Sequence, residues 1–354
     1  MKKKKIAVIA HGLSGGGAER VAATLANYLF EQGHTVLFVA AYSGVKEYDL
    51  SEKIQYCFIK TRALSGTLRM IDRSIKIQHV VRQFGADVVF SFITNELIPL
   101  EFSGIPVIPS LRIDPKSTDS SFVRRNIRKF VYHHAKKIVF QTQEARDYFD
   151  AAIREKGVVI GNPLKTNLPV WNSEKHRKVF MTACRITEQK NIPMLIDAFV
   201  LFHKTHPEYT LEIYGDAETK SYQLKMEQHV KNCAAEEYIT FKGHSTEIHS
   251  IMCDSEVFVL SSDYEGLSNS MLEAMAIGIP CICTDCPPGG AREYMKNGEA
   301  GCLVPVGDVV ALAEKMCYLA DDEEREKALS KKEQYVRELL RRDNVCARWE
   351  ALIE

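Results

Sequence analysis

No stretch of this 354-residue sequence runs to the roughly 20 apolar residues that a membrane-crossing helix needs. The opening "MKKKKIAVIAHG" has the lysines of a secretory signal, but its apolar part, Ile6 to Ala10, falls short of the roughly 7–15 residues of a signal core. We read it as a first β-strand and expect a cytoplasmic protein. Cysteine is not scarce, at ten, yet disulfide-scaffold spacing is missing. Cys283 and Cys286 in "CICTDC" form a C-x-x-C, with no second such pair or nearby histidine pair to complete a zinc site. These thiols read as lying on and just after a buried strand. Low-complexity segments and short repeats are also lacking. So are helix-turn-helix, zinc or aromatic-basic signatures, which argues against nucleic acid as a partner.

What is present is an ordinary soluble composition, 45% hydrophobic and 26% charged, in a chain long enough for two domains. The net charge is zero but unevenly spread. Residues 1–165 hold 25 Lys+Arg against 15 Asp+Glu, a balance of +10, and the remainder holds 21 against 31. The first half therefore meets something anionic, or meets the second half. Short apolar runs at 5–10, 35–41, 54–59, 87–92, 106–110, 137–142 and 157–160 predict strands, with helices at 18–33, 67–84 and 122–135. "GNPLKTNLPVWNSEKHRK" (161–178) breaks the pattern and predicts a linker. Strands then recur at 179–184, 209–215, 238–243, 256–262, 280–285 and 301–306. The accompanying helices are expected at 191–206, 219–234, 246–253, 268–277 and 308–320, and a charged helical tail follows Glu323. Strands with little alternation, separated by helices, indicate two parallel α/β sheets, with ligands at the strands' carboxyl ends.

Candidate site residues fall in the connections. "AHGLSGGGAER" (10–20) begins like a dinucleotide fingerprint. Arg20 replaces its third glycine, and no acid ends the second strand. Two looser readings remain: Gly15, Gly16 and Gly17 expose amides to a phosphate at a helix start, or they form a mobile turn. "ACRITEQKN" sets Arg185 and Lys190 across a short loop, able to clamp a diphosphate. "SSDYEGLSNSMLEAMAIGIP" (261–280) places Glu265 and Glu273 with seven residues between them. Amides of Leu267, Ser268 and Asn269 would face an anion at the helix start. Glu273 is placed either to take a ribose diol or to close a capping box with Ser270. Glu265 reads equally as a site residue or a solvated loop acid.

The run "EGLSNSMLE", taken with "GGGAER", the Arg185/Lys190 pair, "GIPCICTDCPPGG" and "NGEAGCLVP", resembles the E-x7-E retaining glycosyltransferases of the GT-B fold, family 4. The "GGAER" helix start is similar to members that build surface glycans or lipid-linked oligosaccharides. The resemblance implies an α/β GT-B fold: two facing Rossmann-like domains with a cleft between them. An acceptor-binding domain would span 1–163 and a nucleotide-sugar domain 164–334. A C-terminal helix at 335–354 is a candidate for crossing back to the first domain. It further implies that Glu265 contacts the donor sugar while Arg185 and Lys190 neutralise the diphosphate. Gly16 and Gly17 would approach the β-phosphate or sugar, and Leu267 and Ser268 the phosphates. Glu273 would hold the ribose, and Gly243 would sit against the nucleobase. The implied co-substrate is a nucleotide sugar, a UDP-sugar by preference, without a cofactor. The absence of a D-x-D triplet agrees with a metal-independent site.

One departure is that many relatives carry a histidine after the strand matching 106–110, where this chain reads "SLRIDP". Arg112 and Asp114 there, with Asn95 after "SFIT", are acceptor-side candidates. Arg112 reads equally as a surface ion-pair former. "FVRRNIRKFVYHHAKK" (122–137) fits either an anionic membrane surface, suiting a lipid-linked saccharide acceptor, or a sheet-covering helix with a solvated basic face. Adjacent His133 and His134 point to different helix faces and make a poor metal pair. The expected activity is retaining transfer of a hexose or N-acetylhexosamine to a saccharide. The alternatives are a nucleotide-sugar epimerase on the same fold and a non-catalytic sugar-nucleotide or membrane-binding module.

Overall fold

Apolar runs such as Lys5–Ala10 and Thr35–Ala40 bury every residue but the first, as strands covered on both faces do. In the structure, a computed structural model describing residues 2–62, 65–118, 121–172 and 176–353, they build parallel sheets. The chain divides into two units, residues 1–163 with 342–354, and residues 164–341.

In the first unit β1 (Lys5–Ala10), β2 (Thr35–Ala40), β3 (Gln55–Phe58), β4 (Val88–Ser91) and β5 (Val107–Pro109) pair in the order β3-β2-β1-β4-β5. Ile6 lies level with Val36 on one side and Val88 on the other. A bridge from Ser110 to Val139 leads on to the pair β6 (Ile138–Phe140) and β7 (Gly157–Val159). The helix Gly17–Glu31 buries Val21, Leu25, Tyr28 and Leu29, three to four residues apart. Gly33 follows it at φ +85°.

The second unit holds β8 (Arg177–Ala183), β9 (Thr210–Tyr214), β10 (Ile239–Gly243), β11 (Ser255–Leu260), β12 (Cys281–Thr284) and β13 (Cys302–Val304). Their order is β10-β9-β8-β11-β12-β13, again parallel. Chain order reverses direction between β1 and β4 in the first sheet and between β8 and β11 in the second. Each is a topological switch point, where connections diverge and leave a crevice beyond the carboxyl ends. The connections that follow β1, β4, β8 and β11 carry most of the candidate residues; Arg112 and Asp114 follow β5, and Gly243 ends β10.

The tail differs from a single helix over 335–354. Tyr335–Leu339 ends where Leu340 leaves helical geometry (φ −106°, ψ 18°), and Arg342–Glu350 is a separate helix. Although the segment is charged, Val336, Leu340, Val345, Cys346 and Trp349 are buried. Trp349 packs edge-on to Phe90 and stacks on Phe92, both at 5.4 Å. The 161–178 stretch has no helix or strand through residue 172 but is packed. Its Trp171 is buried and the indole donates to the Ser255 carbonyl at 2.8 Å. Residues 173–175 of that stretch lie outside the described residues.

Candidate functional site

At the second unit's switch point, β8 ends and the chain turns through Arg185 into a short 3-10 turn, Glu188–Lys190. Asn191 caps the next helix, Ile192–His203, accepting from the Met194 amide at 3.2 Å. β11 is followed by Ser261 and Ser262, and the loop runs to Ser268, the cap of the helix Asn269–Ile277. The two loops are laced together. The Asp263 amide donates to the Gln189 carbonyl at 2.8 Å, and the Ser261 hydroxyl to the Lys190 carbonyl at 2.9 Å. Asn191 donates to Asp263 at 2.7 Å.

Inside this lacing the Lys190 ammonium is ion-paired with Glu265, the two side chains only 14% and 12% exposed. Glu265 also accepts from Ser262 at 2.7 Å and from Gln189 at 3.3 Å. Burial pulls the lysine's pKa down, but the Glu265 charge, then Cys184, oppose it, and it stands above its ordinary value. Lys190 is therefore a cation throughout the physiological range. Glu265 is not the solvated loop acid that composition also allowed: it is largely covered, fourfold constrained by its backbone and three side chains, and its own amide donates to the Pro287 carbonyl at 2.9 Å. Arg185, by contrast, is exposed.

The capping box does not form. Ser268, not Ser270, is the cap, accepting from the Met271 amide at 3.3 Å, so Glu273 sits too deep in the helix to reach back. Glu273 is buried and bonded instead to His249 Nε2 at 2.9 Å. Leu267 and Ser268 are buried at the helix start. Gly243 ends β10 at φ +69°, with open space where a Cβ would project. It lines a cavity of about 340 Å³ with Gly215, Asp216, Thr219, Lys220 and Phe241. Gly215, at φ +123°, is obligatory, because a Cβ there would lie 1.8 Å from the Cys184 carbonyl oxygen. Bridging of Ile186 to Ala217 joins this cavity's rim to the Arg185 loop. Cys283 and Cys286 are buried free thiols, pushed well up and up to about 12 by burial.

In the first unit the glycine loop is hydrogen-bonded to Glu47 and Tyr48, which follow β2. The Gly15 amide donates to Glu47 at 2.8 Å and the Tyr48 hydroxyl to the Gly16 carbonyl at 3.0 Å. Gly16 is the cap position and Gly17 the first helical residue. Asn95 is half-buried after β4. Arg112 donates to Asn162 at 3.0 Å and lies over the rings of Phe92 and Trp349 at 5.1 and 5.3 Å. Asp114 is buried and accepts from the amides of Lys116 and Ser117, at 3.3 and 3.0 Å, which closes its own turn. In the helix Phe122–His134, Arg128 belongs to the buried face, donating to Thr118, while Phe122 and Val123 are 68% and 63% exposed beside exposed Arg124 and Arg125. Among the described residues no helix is long and apolar enough to cross a membrane.

Sequence reasoning missed His249, Gln189 and Ser262. Gln189 adjoins Lys190 and Ser262 precedes Glu265 by three, which was a usable local signal. His249 lies 24 residues from Glu273, and nothing local connects them. It also missed buried Glu96, next to Asn95, which the Tyr42 hydroxyl and, at 3.8 Å, Arg73 hold.

Comparison with known proteins bears on both units. A family model described as glycosyl transferases group 1 matches residues 165–335, and one described as glycosyltransferase family 4 matches residues 15–168. The chain is 28% identical over 223 residues to the GtfA subunit of a UDP-N-acetylglucosamine–peptide N-acetylglucosaminyltransferase of Streptococcus pneumoniae, covering 60% of this chain but only 43% of that relative. It is 23% identical over 335 residues to an undecaprenol-linked-glycan α-1,4-N-acetyl-D-galactosaminyltransferase of Campylobacter jejuni, covering 92% and 91% of the two chains. Its fold is similar to that of Anabaena HepE, solved in complex with UDP and glucose, with a TM-score of 0.85 at 17% identity over 99% of each chain.

Proposed function

The chain belongs to family 4 of the GT-B glycosyltransferases, and on that premise we propose that it moves a hexose or N-acetylhexosamine from a UDP-sugar onto a saccharide acceptor with retention. The observation that carries this reading is the largely covered Lys190–Glu265 pair at the carboxyl ends of β8 and β11, beside the start of the helix Asn269–Ile277.

Breaking the bond from anomeric carbon to phosphate leaves negative charge on the departing diphosphate, and stabilising that charge is the largest electrostatic task. Lys190, held charged, supplies a fixed cation, and Arg185 a second from the same loop. Amides of Leu267 and Ser268 add the helix start. In this reading Glu265 exchanges part of its contact with Lys190 for donor-sugar hydroxyls. Glu273, oriented by His249, takes the ribose, and the cavity at Gly243 takes the uracil. Gly16 and Gly17 amides approach the β-phosphate or sugar. Asn95 and Arg112 are proposed acceptor contacts, with Asp114 shaping their loop. The exposed Phe122, Val123, Arg124 and Arg125 suit an anionic membrane presenting a lipid-linked acceptor. The relatives from Campylobacter and Anabaena, which act on a polyprenol-linked glycan and bind UDP, support this choice of acceptor and donor.

The test is a thermal-shift screen with UDP, GDP and ADP, followed by product analysis of the UDP-sugar with and without saccharide acceptors. UDP should raise the melting temperature by mass action, and new product should appear only with acceptor present. A response confined to GDP or ADP would replace the proposed donor, and a converted donor without acceptor would replace transfer by epimerisation.

A further inference from the structure

Three metal-binding side chains converge on the second unit outside all of the loops above. His229 and Cys233 lie four residues apart at the end of the helix Lys220–Asn232 and so share a face. Asp197 meets them from the helix Ile192–His203. Their donor atoms all lie within 4.8 Å of one another. His229 Nε2 is 2.7 Å from Asp197 Oδ1, and Cys233 Sγ is 3.9 Å from the same oxygen. Ala234, in left-handed geometry at φ +51°, turns the chain away immediately after the thiol.

We propose that Asp197, His229 and Cys233 form a site for one Zn²⁺ ion that ties the two helices together. Thiolate, imidazole and carboxylate together select zinc over magnesium or calcium, which prefer all-oxygen shells. Zinc bonds of about 2.0–2.3 Å in tetrahedral geometry set donor atoms roughly 3.3–3.8 Å apart. The observed separations bracket this, so small rotamer changes complete the shell and leave a fourth position for water. Access is open: the His229 and Asp197 side chains are 32% and 42% exposed. The helix carrying His229 lines the Gly243 cavity with Lys220, Gln223 and Glu227, and the helix carrying Asp197 starts beyond Lys190, after its cap Asn191. An ion here holds both supports of that region in register.

The experiment uses the full chain stripped by chelator. Zn²⁺ is titrated against a chromophoric indicator, and Co²⁺ is added to read the thiolate-to-cobalt charge-transfer band. One ion per chain, a raised melting temperature and the charge-transfer band are expected. Cys233→Ser and His229→Gln should each weaken zinc binding by at least the roughly 10–100-fold seen when weaker outer contacts are lost. Cys233→Ser should also abolish the band, with circular dichroism unchanged. Absence of binding, or binding and a band that survive in both variants, overturns the site and leaves Asp197 and His229 as a hydrogen-bonded pair between helices.

Discussion

Removing the Lys190 side chain leaves the largely covered Glu265 carboxylate with Ser262 and Gln189 as its remaining side-chain donors. Breaking a buried pair from one side leaves an uncompensated charge, so Lys190→Ala should destabilise the second unit by about 3–5 kcal/mol. It should also lower kcat/KM by about 10²–10³, the loss on removing one preorganised group facing developing charge. Glu265→Gln keeps size but turns one acceptor oxygen into a donor, so the bonds from Ser262 and Gln189 cannot both survive. It should lose transfer and also destabilise the second unit by up to the same about 3–5 kcal/mol, because the Lys190 ammonium then lacks its carboxylate. Steady-state kinetics and urea unfolding of both variants check this. Unchanged kcat/KM in both would move the chemistry away from the pair.

At the scale of elements, the helix Glu323–Glu333 buries acids against the second sheet. Glu326 meets Glu256 of β11, which already accepts from the Tyr209 hydroxyl at 2.7 Å and faces His176 at 3.5 Å. Burial, and then the Glu256 charge, raise the Glu326 carboxyl from 4.5 to about 9. Below the lower value folded and unfolded chains are both protonated. Between the two the unfolded chain releases a proton that the folded one keeps, so stability falls as pH rises, levelling off above about 9. Glu333, buried in the same helix and raised in the same direction, adds to the slope. Glu326→Gln should make stability less dependent on pH across this window, measured as urea midpoints over a pH series. A slope identical to that of the unaltered protein would remove Glu326 as its source.

At the scale of the whole molecule, the last thirteen residues belong to the first unit although they follow the second in the chain. Trp349 fills the space against Phe90 and Phe92. Glu350 accepts from His34 at 3.0 Å, with the Tyr28 hydroxyl at 3.3 Å. The His34 ring is oriented by the Lys4 amide, which donates to Nδ1 at 3.1 Å and leaves Nε2 to carry the proton toward Glu350. Truncation after Arg341 should therefore unfold the first unit at lower denaturant while leaving the second unit's transition in place. Trp349→Ala should lower the first unit's stability by about 3–5 kcal/mol. Hydrogen-exchange protection read separately in the two units distinguishes this from a loss common to both.

Period and punctuation along the chain determined the strands, their parallel arrangement and the connections at their carboxyl ends. Continuous apolar runs between amphipathic helices have few other ways to bury themselves. Gly16, Gly17, Arg185, Lys190, Glu265 and Glu273 became candidates for the same reason: they fall in the chain between one strand's carboxyl end and the next strand. Tertiary packing decided what those side chains touch. Spacing left Glu273 between a capping box and a ligand contact, and the cap at Ser268 with His249 across the turn removed the first. Spacing left Arg112 open to a surface ion pair, and packing placed it over Phe92 and Trp349. Trp349 itself stands in a charged tail whose composition predicts exposure, and it is buried because residues more than 200 positions earlier supply its cavity. A one-dimensional pattern records which face of an element is apolar. Which distant group completes a side chain's shell depends on how the elements converge, and no local spacing encodes that.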